Sequence, residues 1–223
     1  GTDPASVPSI ELATKPAVAY TYFKMLWTEG SREEALSKLR VFVQDERASK
    51  DGKLAAKAWR RLGQWQRTVH EPLSLDDVGT VLQSLRHATE FGAESYKAWH
   101  AWAMVNFEAV SRFADAGGLQ YVVPAIGGFF RSIALGKERA LQDMLRLLTL
   151  WFKYGATAEV DVAVKNGFDA IAIDTWLSVT PQIIARIHAP NMLLRRSVNM
   201  LLSRVAKEHP QGLIYPLTVA SKS

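Results

Sequence analysis

A concentration of basic residues is the part of this chain whose residue types could do chemistry. Between residues 47 and 70 the Lys and Arg side chains are opposed by a single acid, Asp51. Lys57 and Arg61 are four residues apart, so on a helix they project from one face. Lys97 begins a later predicted helix that could pack beside the first. Cations that converge repel one another unless an anion lies between them. Lys57, Arg61 and Lys97 are therefore a candidate anion-binding set.

The spacing of these residues also permits plainer interpretations, and by itself it favours one of them. The three side chains could point separately into water, either solvated or paired with acids such as Glu94. The formal net charge of +5 fits an ordinary surface with a slight excess of Lys and Arg. Nucleic-acid binding is a further alternative, but the aromatic residues are predicted to be buried rather than interleaved with charge.

Other kinds of chemistry find little support in the residues. The chain has no cysteine, which excludes disulfides and thiolate metal sites and fits a reducing compartment. It has no nucleotide-binding glycine motif and no metal-ligand spacing among its five histidines. Asp76 and Asp77 are adjacent, so on a helix they diverge by about 100° and suit a helix N-terminus better than a catalytic pair. His100, between Trp99 and Trp102, is predicted to be packed or hydrogen-bonded. No enzyme activity is expected.

The hydrophobic pattern predicts an all-α protein built of helix hairpins. Apolar residues recur with the helical period of 3.6, separated by short turns, and strand signals are nearly absent. No run of about 18 apolar residues indicates a membrane span. The seven tryptophans have helical spacing, which favours core packing over a ligand platform. The predicted helices cover residues 16–27, 74–89, 95–113, 122–135, 137–154, 159–166, 171–187 and 191–207, with a further one after Ser31.

Two local patterns refine this reading and divide the chain. Ser31 followed by Glu34 is typical of a capping box at a helix start. Trp59, Leu62 and Gly63 match the opening of a tetratricopeptide helix, where small residues allow close helix approach. Residues 1–9 are predicted to be a flexible lead-in or a vector-derived scar, residues 10–118 tetratricopeptide-like repeats, and residues 119–223 HEAT-like repeats.

Several blocks, taken in order, resemble one protein family. They include LGQWQ at residues 62–66, YKAWHAWA at 96–103, and HPQGLIYPLTVASKS at 209–223. The other blocks are at residues 22–27, 106–110, 128–133, 141–143, 148–152, 173–177 and 181–187. Together they resemble the FAT domain of the target of rapamycin (TOR) kinases, within the phosphatidylinositol-3-kinase-related kinases.

The resemblance implies a specific architecture. The family's FAT domain is a helical solenoid that clamps the kinase domain, and the closing run of this chain would lie just before the rapamycin-binding segment. The chain would then be the C-terminal part of a FAT domain, without catalytic activity because the kinase domain is absent. Its partners would be the kinase domain, the remaining repeats of the same chain and other TOR complex subunits, in nutrient and growth signalling. The implied location is the cytoplasm, with peripheral association at vacuolar or lysosomal membranes.

The resemblance also implies a ligand for the basic residues. The family's FAT domain holds inositol hexakisphosphate in a pocket lined by Lys and Arg. Block by block, Lys57, Arg61 and Lys97 fall on positions of that pocket. Lys57 and Arg61 exchange Arg and Lys with the family, which keeps the charge but changes the geometry of phosphate contacts. The pocket also uses basic residues from a preceding segment that this sequence does not include.

One alternative from another functional class remains at this point. A free-standing tetratricopeptide adaptor would bind a partner peptide in a concave groove by means of carboxylate clamps. Such an adaptor would bind its partner alone, whereas a clamp fragment would bind only the rest of its own kinase.

Overall fold

The computed structural model describes residues 15–136 and 140–214. The predicted lead-in and the last nine residues of the closing run lie outside the described residues. Those described form α-helices and short 3-10 turns, with no strand among them, which confirms the all-α fold class. The chain divides into two compact units, Gly1–Ala93 and Glu94–Ser223. None of the helices in the described ranges combines the length and apolar character that a membrane crossing requires.

The first unit is a set of packed helix hairpins. Consecutive elements pack against each other, α1 on α2 and α4 on α5, and α2 also contacts α4. Gly30 connects the first two helices with a positive φ of 97°, which glycine adopts without a steric penalty. The helices are α1 Pro16–Thr28, α2 Arg32–Val43, α3 Glu46–Ser49, α4 Gly52–Val69 and α5 Leu75–Phe91.

The second unit continues with longer helices followed by short ones. Its α6 and α7 pack closely, α7 contacts α8 and α9, and α12 packs on α9, α10 and α11. Two 3-10 turns at residues 114–121 link the first pair. The helices are α6 Tyr96–Phe113, α7 Val122–Gly136, α8 Ala140–Tyr154, α9 Ala158–Gly167, α10 Ile173–Leu177, α11 Thr180–Ile184 and α12 Met192–Glu208.

The predicted boundary between repeat types falls inside this second unit. Residues 114–118, where the helical pattern breaks, belong to the 3-10 turns that pack with α6 and α7. The compact units instead divide between Ala93 and Glu94. The assignment of residues 10–118 to tetratricopeptide-like repeats and 119–223 to HEAT-like repeats stays a prediction.

Most predicted helix starts are confirmed, and one cap is wrong. The side chains of Ser74, Ser95 and Asn191 each accept a backbone N–H hydrogen bond at the start of α5, α6 and α12. Ser31 lies at the start of α2 but makes no cap hydrogen bond with its side chain. Its ψ of 56° is far from the extended backbone of the other three caps, and Glu34 pairs with a neighbouring lysine rather than completing a capping box.

The helix predicted over residues 171–187 is also wrong in its continuity. The structure divides it into α10 and α11, with a break at Ser178 and Val179. Pro181 explains the break, because it has no N–H to donate to the carbonyl four residues earlier. Pro181 instead occupies the first turn of α11, where a missing N–H costs nothing.

Gly63 allows the close approach of α4 and α5 that its motif predicts. A Cβ added there would lie 2.8 Å from Cγ and Cδ2 of Leu85, a side chain that is itself 1% exposed. Only a glycine fits between these two helices without moving the core. This contact brings α4 into a fixed orientation, and thereby determines which of its faces is left for solvent.

The tryptophans pack in or against the hydrophobic core, as their helical spacing predicts. In the first unit Trp27 and Trp65 stack at 4.4 Å with an interplanar angle of 2°. In the second unit Trp151 and Trp176 are 1% and 0% exposed, and both have an edge or tilted contact with an aromatic neighbour. Four of the seven are buried and three are partly buried: Trp59, Trp65, Trp151 and Trp176, then Trp27, Trp99 and Trp102.

A buried carboxylate connects three helices of the second unit. Asp143 on α8 is 1% exposed and accepts hydrogen bonds from Ser132 on α7 at 2.8 Å and from Arg146 at 3.2 Å. His100 on α6 places Nδ1 2.8 Å from the same carboxylate, which confirms the predicted hydrogen-bonded role of this histidine. Each oxygen of the buried group is thus satisfied, as a buried charge requires.

Candidate anion-binding site

Helix α4 presents one apolar face and one basic face. Asp51 caps its N-terminus by accepting from the backbone N–H groups of Lys53 and Leu54 at 3.0 and 3.1 Å. Alanine and larger apolar residues bury one side against α5. The helical period then places the basic residues, four apart or three apart, on the remaining side. Because the apolar residues of α4 are buried against α5, its basic residues are left on the other side of the helix.

In the structure Lys57 and Arg61 both lie on α4, one helical turn apart, and Arg60 lies beside them. Lys57 is exposed, whereas Arg60 and Arg61 are half-buried. Arg60 donates from Nη1 to Oε1 of Gln64 at 3.1 Å, which orients its guanidinium along the helix. Burial, and after it the charge of Arg61, lowers the pKa of Arg60 below its ordinary value. Burial is thus the main reason that the charged form of Arg60 is disfavoured, and the charge of Arg61 adds to it.

Among the described residues, no carboxylate neutralises this group. Within residues 15–136 and 140–214 neither Lys57, Arg60 nor Arg61 forms an ion pair. The Nε of Arg61 is buried and has no hydrogen-bond partner in the described part of the chain. Glu94, which was a predicted partner, instead lies 3.9 Å from Arg131. An anion with several oxygens would pair with the accessible donors of this group.

Lys97 lies in the second unit, at the second position of α6, and its side chain is exposed. Ser95 caps the helix just before it, with Oγ accepting from the N–H of Ala98 at 3.4 Å. Lys97 also has no ion pair in the part of the chain that the structure describes. The convergence of Lys97 with Lys57 and Arg61 stays a prediction.

Sequence reasoning did not select Arg60, although it recognised the basic stretch. The available signal was the spacing of three from Lys57 and of four to Gln64, which puts all of them along one side of α4. What the sequence did not show is that packing half-buries this arginine. No group of three or more His, Cys, Asp or Glu side chains in the described ranges could hold a metal ion.

A groove lies on another part of the first unit, between α2, α4 and α5, and it encloses about 510 Å³. Its floor is formed by Trp59, whose ring lies 4.5 Å from that of His87, and by Leu62. The lining is otherwise polar and mostly uncharged: Arg40, Gln44, Gln66, Thr80, Gln83 and Ser84, with Val41 at the edge. Ser84 donates to Gln66 at 2.8 Å inside it.

The described part of the chain is thus a stack of helix hairpins with a basic helix face and without a recognisable catalytic or metal-binding constellation. Comparison with known proteins identifies the class. The FAT domain family matches residues 2–149, and the chain belongs to this family.

The relatives specify which kinases carry this FAT domain. The chain is 37% identical to the serine/threonine-protein kinase tor1 of Schizosaccharomyces pombe over all of its length, and 38% identical to the serine/threonine-protein kinase mTor of Drosophila melanogaster, also over all of it. It is 35% identical to the serine/threonine-protein kinase TOR2 of Saccharomyces cerevisiae. The chain covers 11%, 10% and 12% of these three proteins, so it corresponds to about a tenth of a TOR kinase.

Proposed function

We propose that this chain is a non-catalytic scaffold segment of a TOR-type serine/threonine kinase, which clamps the kinase domain and helps to bind inositol hexakisphosphate. The proposed polyphosphate ligands are Lys57, Arg61 and Lys97, with Arg60 beside them. The scaffold acts in nutrient and growth signalling, in the cytoplasm and peripherally at vacuolar or lysosomal membranes. Its partners are the kinase domain, the remaining repeats of the same protein and other subunits of the TOR complex.

One observation carries the ligand proposal, namely that the cations on α4 have no acidic partner within the described ranges. Arginine keeps its charge near neutral pH, so a bound anion would stabilise the adjacent charges of Arg60 and Arg61. A ligand with many phosphate oxygens pairs with several accessible guanidinium and ammonium donors at once. A single carboxylate would leave most of these donors unpaired.

The scaffold proposal is supported by the class of fold and by the relatives. Stacked helix hairpins bury their cores against neighbours and present long surfaces to other domains. The chain carries no kinase motif, and its relatives are kinases about ten times its length. The catalytic step therefore belongs to another part of the longer protein, and this segment contributes to its position.

Calorimetric titration of inositol hexakisphosphate tests the ligand. The titration uses the chain itself and the longer protein that includes the rest of the FAT domain, where we expect tighter binding because further basic residues join the site. A ligand at 100 times its Kd stabilises the folded state by about 2.7 kcal/mol, which is measurable as a higher Tm. Binding should weaken as salt is added, because exposed charges are screened.

Variants show whether the proposed residues are responsible. Replacing Lys57, Arg61 and Lys97 by alanine should lower the affinity at least tenfold and leave the helical circular dichroism unchanged. The matched control replaces three other exposed cations, Arg195, Arg196 and Lys207, and should bind as the unmodified protein does. Equal losses in both triple variants would indicate general attraction instead of a site. An absence of binding by the longer protein at low salt would remove the ligand proposal.

The groove of the first unit supports a second candidate, the tetratricopeptide adaptor. Its amide side chains could pair with the backbone of an extended peptide, and Arg40 could pair with a carboxylate. An adaptor would retain its partner when the chain is isolated from the rest of the protein. Capture of a defined peptide that Gln83→Ala weakens would favour this candidate, whereas binding restricted to the remaining kinase would favour the scaffold.

A further inference from the structure

A separate groove lies on the second unit, between α8 and residues 182–186 at the end of α11. It encloses about 560 Å³, which is within the range of small binding sites. Leu145, Leu148 and Phe152 form its apolar floor, and Ala185 extends the floor on the other side. The rim consists of polar and basic side chains: Thr149, Lys153, Gln182 and Arg186. None of the lining residues is an acid.

Helix α8 has two apolar stripes, and the second unit buries only one of them completely. Its inner stripe of Met144, Leu147 and Trp151 is at most 1% exposed. A second stripe runs beside it with the spacing i, i+4, i+7 and i+11, and it consists of Leu141, Leu145, Leu148 and Phe152. Leu141 is 48% exposed and Leu145 and Phe152 are partly buried, whereas Leu148 is 3% exposed and packs in the core. In the described part of the chain, Leu141, Leu145 and Phe152 therefore keep apolar surface that is open to a second neighbour of α8.

Two cations without acidic partners lie over this apolar floor. The guanidinium of Arg186 is 5.3 Å from the centre of the Phe152 ring, and Nζ of Lys153 is 5.1 Å from that of Tyr154. Within the described ranges neither forms an ion pair. A cation over a ring keeps its N–H groups directed outward, so Arg186 is oriented and still able to hold a carboxylate.

We propose that this groove binds a short amphipathic helix of a partner protein, with an apolar edge for Leu145, Leu148 and Phe152 and acidic residues for Lys153 and Arg186. A helix laid along α8 fits because the partly exposed floor residues Leu145 and Phe152 are seven residues apart, which is about two helical turns. Because the rim of the groove is basic and contains no acidic side chain, we expect acidic residues on both sides of the partner helix's apolar edge. An exposed charged rim around a small apolar centre is typical of reversible association rather than of a permanent interface. The site does not depend on the polyphosphate proposal.

Two synthetic peptides test the proposal against the full chain. Both are helices of about 15 residues, long enough for partial helicity in water. Each has leucines at i, i+4 and i+7. One carries glutamates beside the leucines and the other carries lysines at the same positions. Fluorescence anisotropy should show binding of the acidic peptide with a Kd of about 10–100 μM and none of the basic one. An acidic peptide that fails to bind at about 1 mM overturns the proposal.

Charge reversals at the groove provide the specific readout. The double variant Lys153→Glu, Arg186→Glu changes two exposed side chains, so we expect normal helicity and at least a tenfold weaker binding of the acidic peptide. The control Arg195→Glu, Arg196→Glu has the same charge change in the first turn of α12, where acids are tolerated, and should bind normally. Equal losses in both double variants overturn the proposal.

A third variant and a second probe test the apolar floor and the nature of the partner. Thr149→Tyr fills the groove from an exposed position and should also weaken binding of the acidic peptide tenfold; unaltered binding places the peptide elsewhere and overturns the proposal. Vesicles of anionic phospholipid are a rival ligand for a basic, apolar surface. Groove-dependent binding to vesicles without binding to the peptide would identify a membrane contact and would also overturn it.

Discussion

The buried carboxylate of Asp143 provides the most quantitative test of how the second unit is held together. The change is Asp143→Ala, which removes the acceptor shared by Ser132, His100 and Arg146. Because these donors come from α6, α7 and α8, the substitution affects three helices at once. It also deletes a side chain that is 1% exposed and so leaves a small cavity.

The expected loss of unfolding free energy depends on whether each donor finds another hydrogen-bond partner once Asp143 is removed. Ser132 is 0% exposed, but its hydroxyl also bonds the carbonyl of Phe129 at 3.1 Å, so it is not left completely unpaired. The side chains of His100 and Arg146 are 36% and 29% exposed, so water can partly solvate them. A buried pair that loses one member costs about 3–5 kcal/mol. Partial solvation of these donors reduces that to about 2–4 kcal/mol.

Urea unfolding followed by circular dichroism and tryptophan fluorescence measures this change. With an m value of about 2 kcal/mol/M, the midpoint should fall by about 1–2 M. Asp143→Asn keeps the shape and one acceptor for Ser132, so we expect about half the loss. The control is Asp169→Asn, which removes the exposed partner of Arg204 at 2.7 Å and should cost less than about 1 kcal/mol.

The pattern across the three variants is what tests the reasoning. A midpoint for Asp143→Ala that equals that of Asp169→Asn would show that the buried carboxylate contributes no more than a surface pair. A gain in stability would show that the desolvation of Asp143 outweighs its hydrogen bonds. Either result would refute the account of the second unit given above.

Four further substitutions address helix packing and helix ends. Gly63→Ala places a Cβ 2.8 Å from Leu85 and should cost about 1–3 kcal/mol in urea unfolding, although alanine is the better helix former. Leu201→Asp puts an unpaired carboxylate at a position that is 0% exposed and should cost about 4 kcal/mol or more, visible as lost helicity and a lower Tm; unchanged melting would mean that the stripe is not buried. Ser74→Ala should cost about 1 kcal/mol, whereas Ser31→Ala should be nearly neutral, because only Ser74 accepts a cap hydrogen bond.

Short-range features of the sequence were sufficient for much of this fold. The helical period of apolar residues predicts the all-α class because burying one face of a helix is the dominant favourable term. The helices predicted to start at Ser74, Ser95 and Asn191 do start there, and each of these side chains caps its helix. Capping needs only neighbouring atoms, so the sequence contains all the information required.

Some local patterns were overruled by backbone geometry. Ser31 has the residue type of a cap and the spacing of a capping box, yet its backbone does not direct the side chain to the helix. In the 171–187 region the apolar period continues through Pro181, but the missing N–H ends one helix and begins another. Periodicity reports which residues are buried, and it does not report whether the backbone hydrogen bonds are continuous.

The candidate sites show the same division between what is near in sequence and what is near in space. Lys57 and Arg61 lie on one face because four residues make about one helical turn, which the sequence alone determines. Three other features depend on side chains from different helices. They are the half-burial of Arg60, the hydrogen bond between His100 and Asp143, and the groove whose rim carries Lys153 and Arg186. Only tertiary packing brings such residues together, because it selects which helix faces meet and which donors are withdrawn from water.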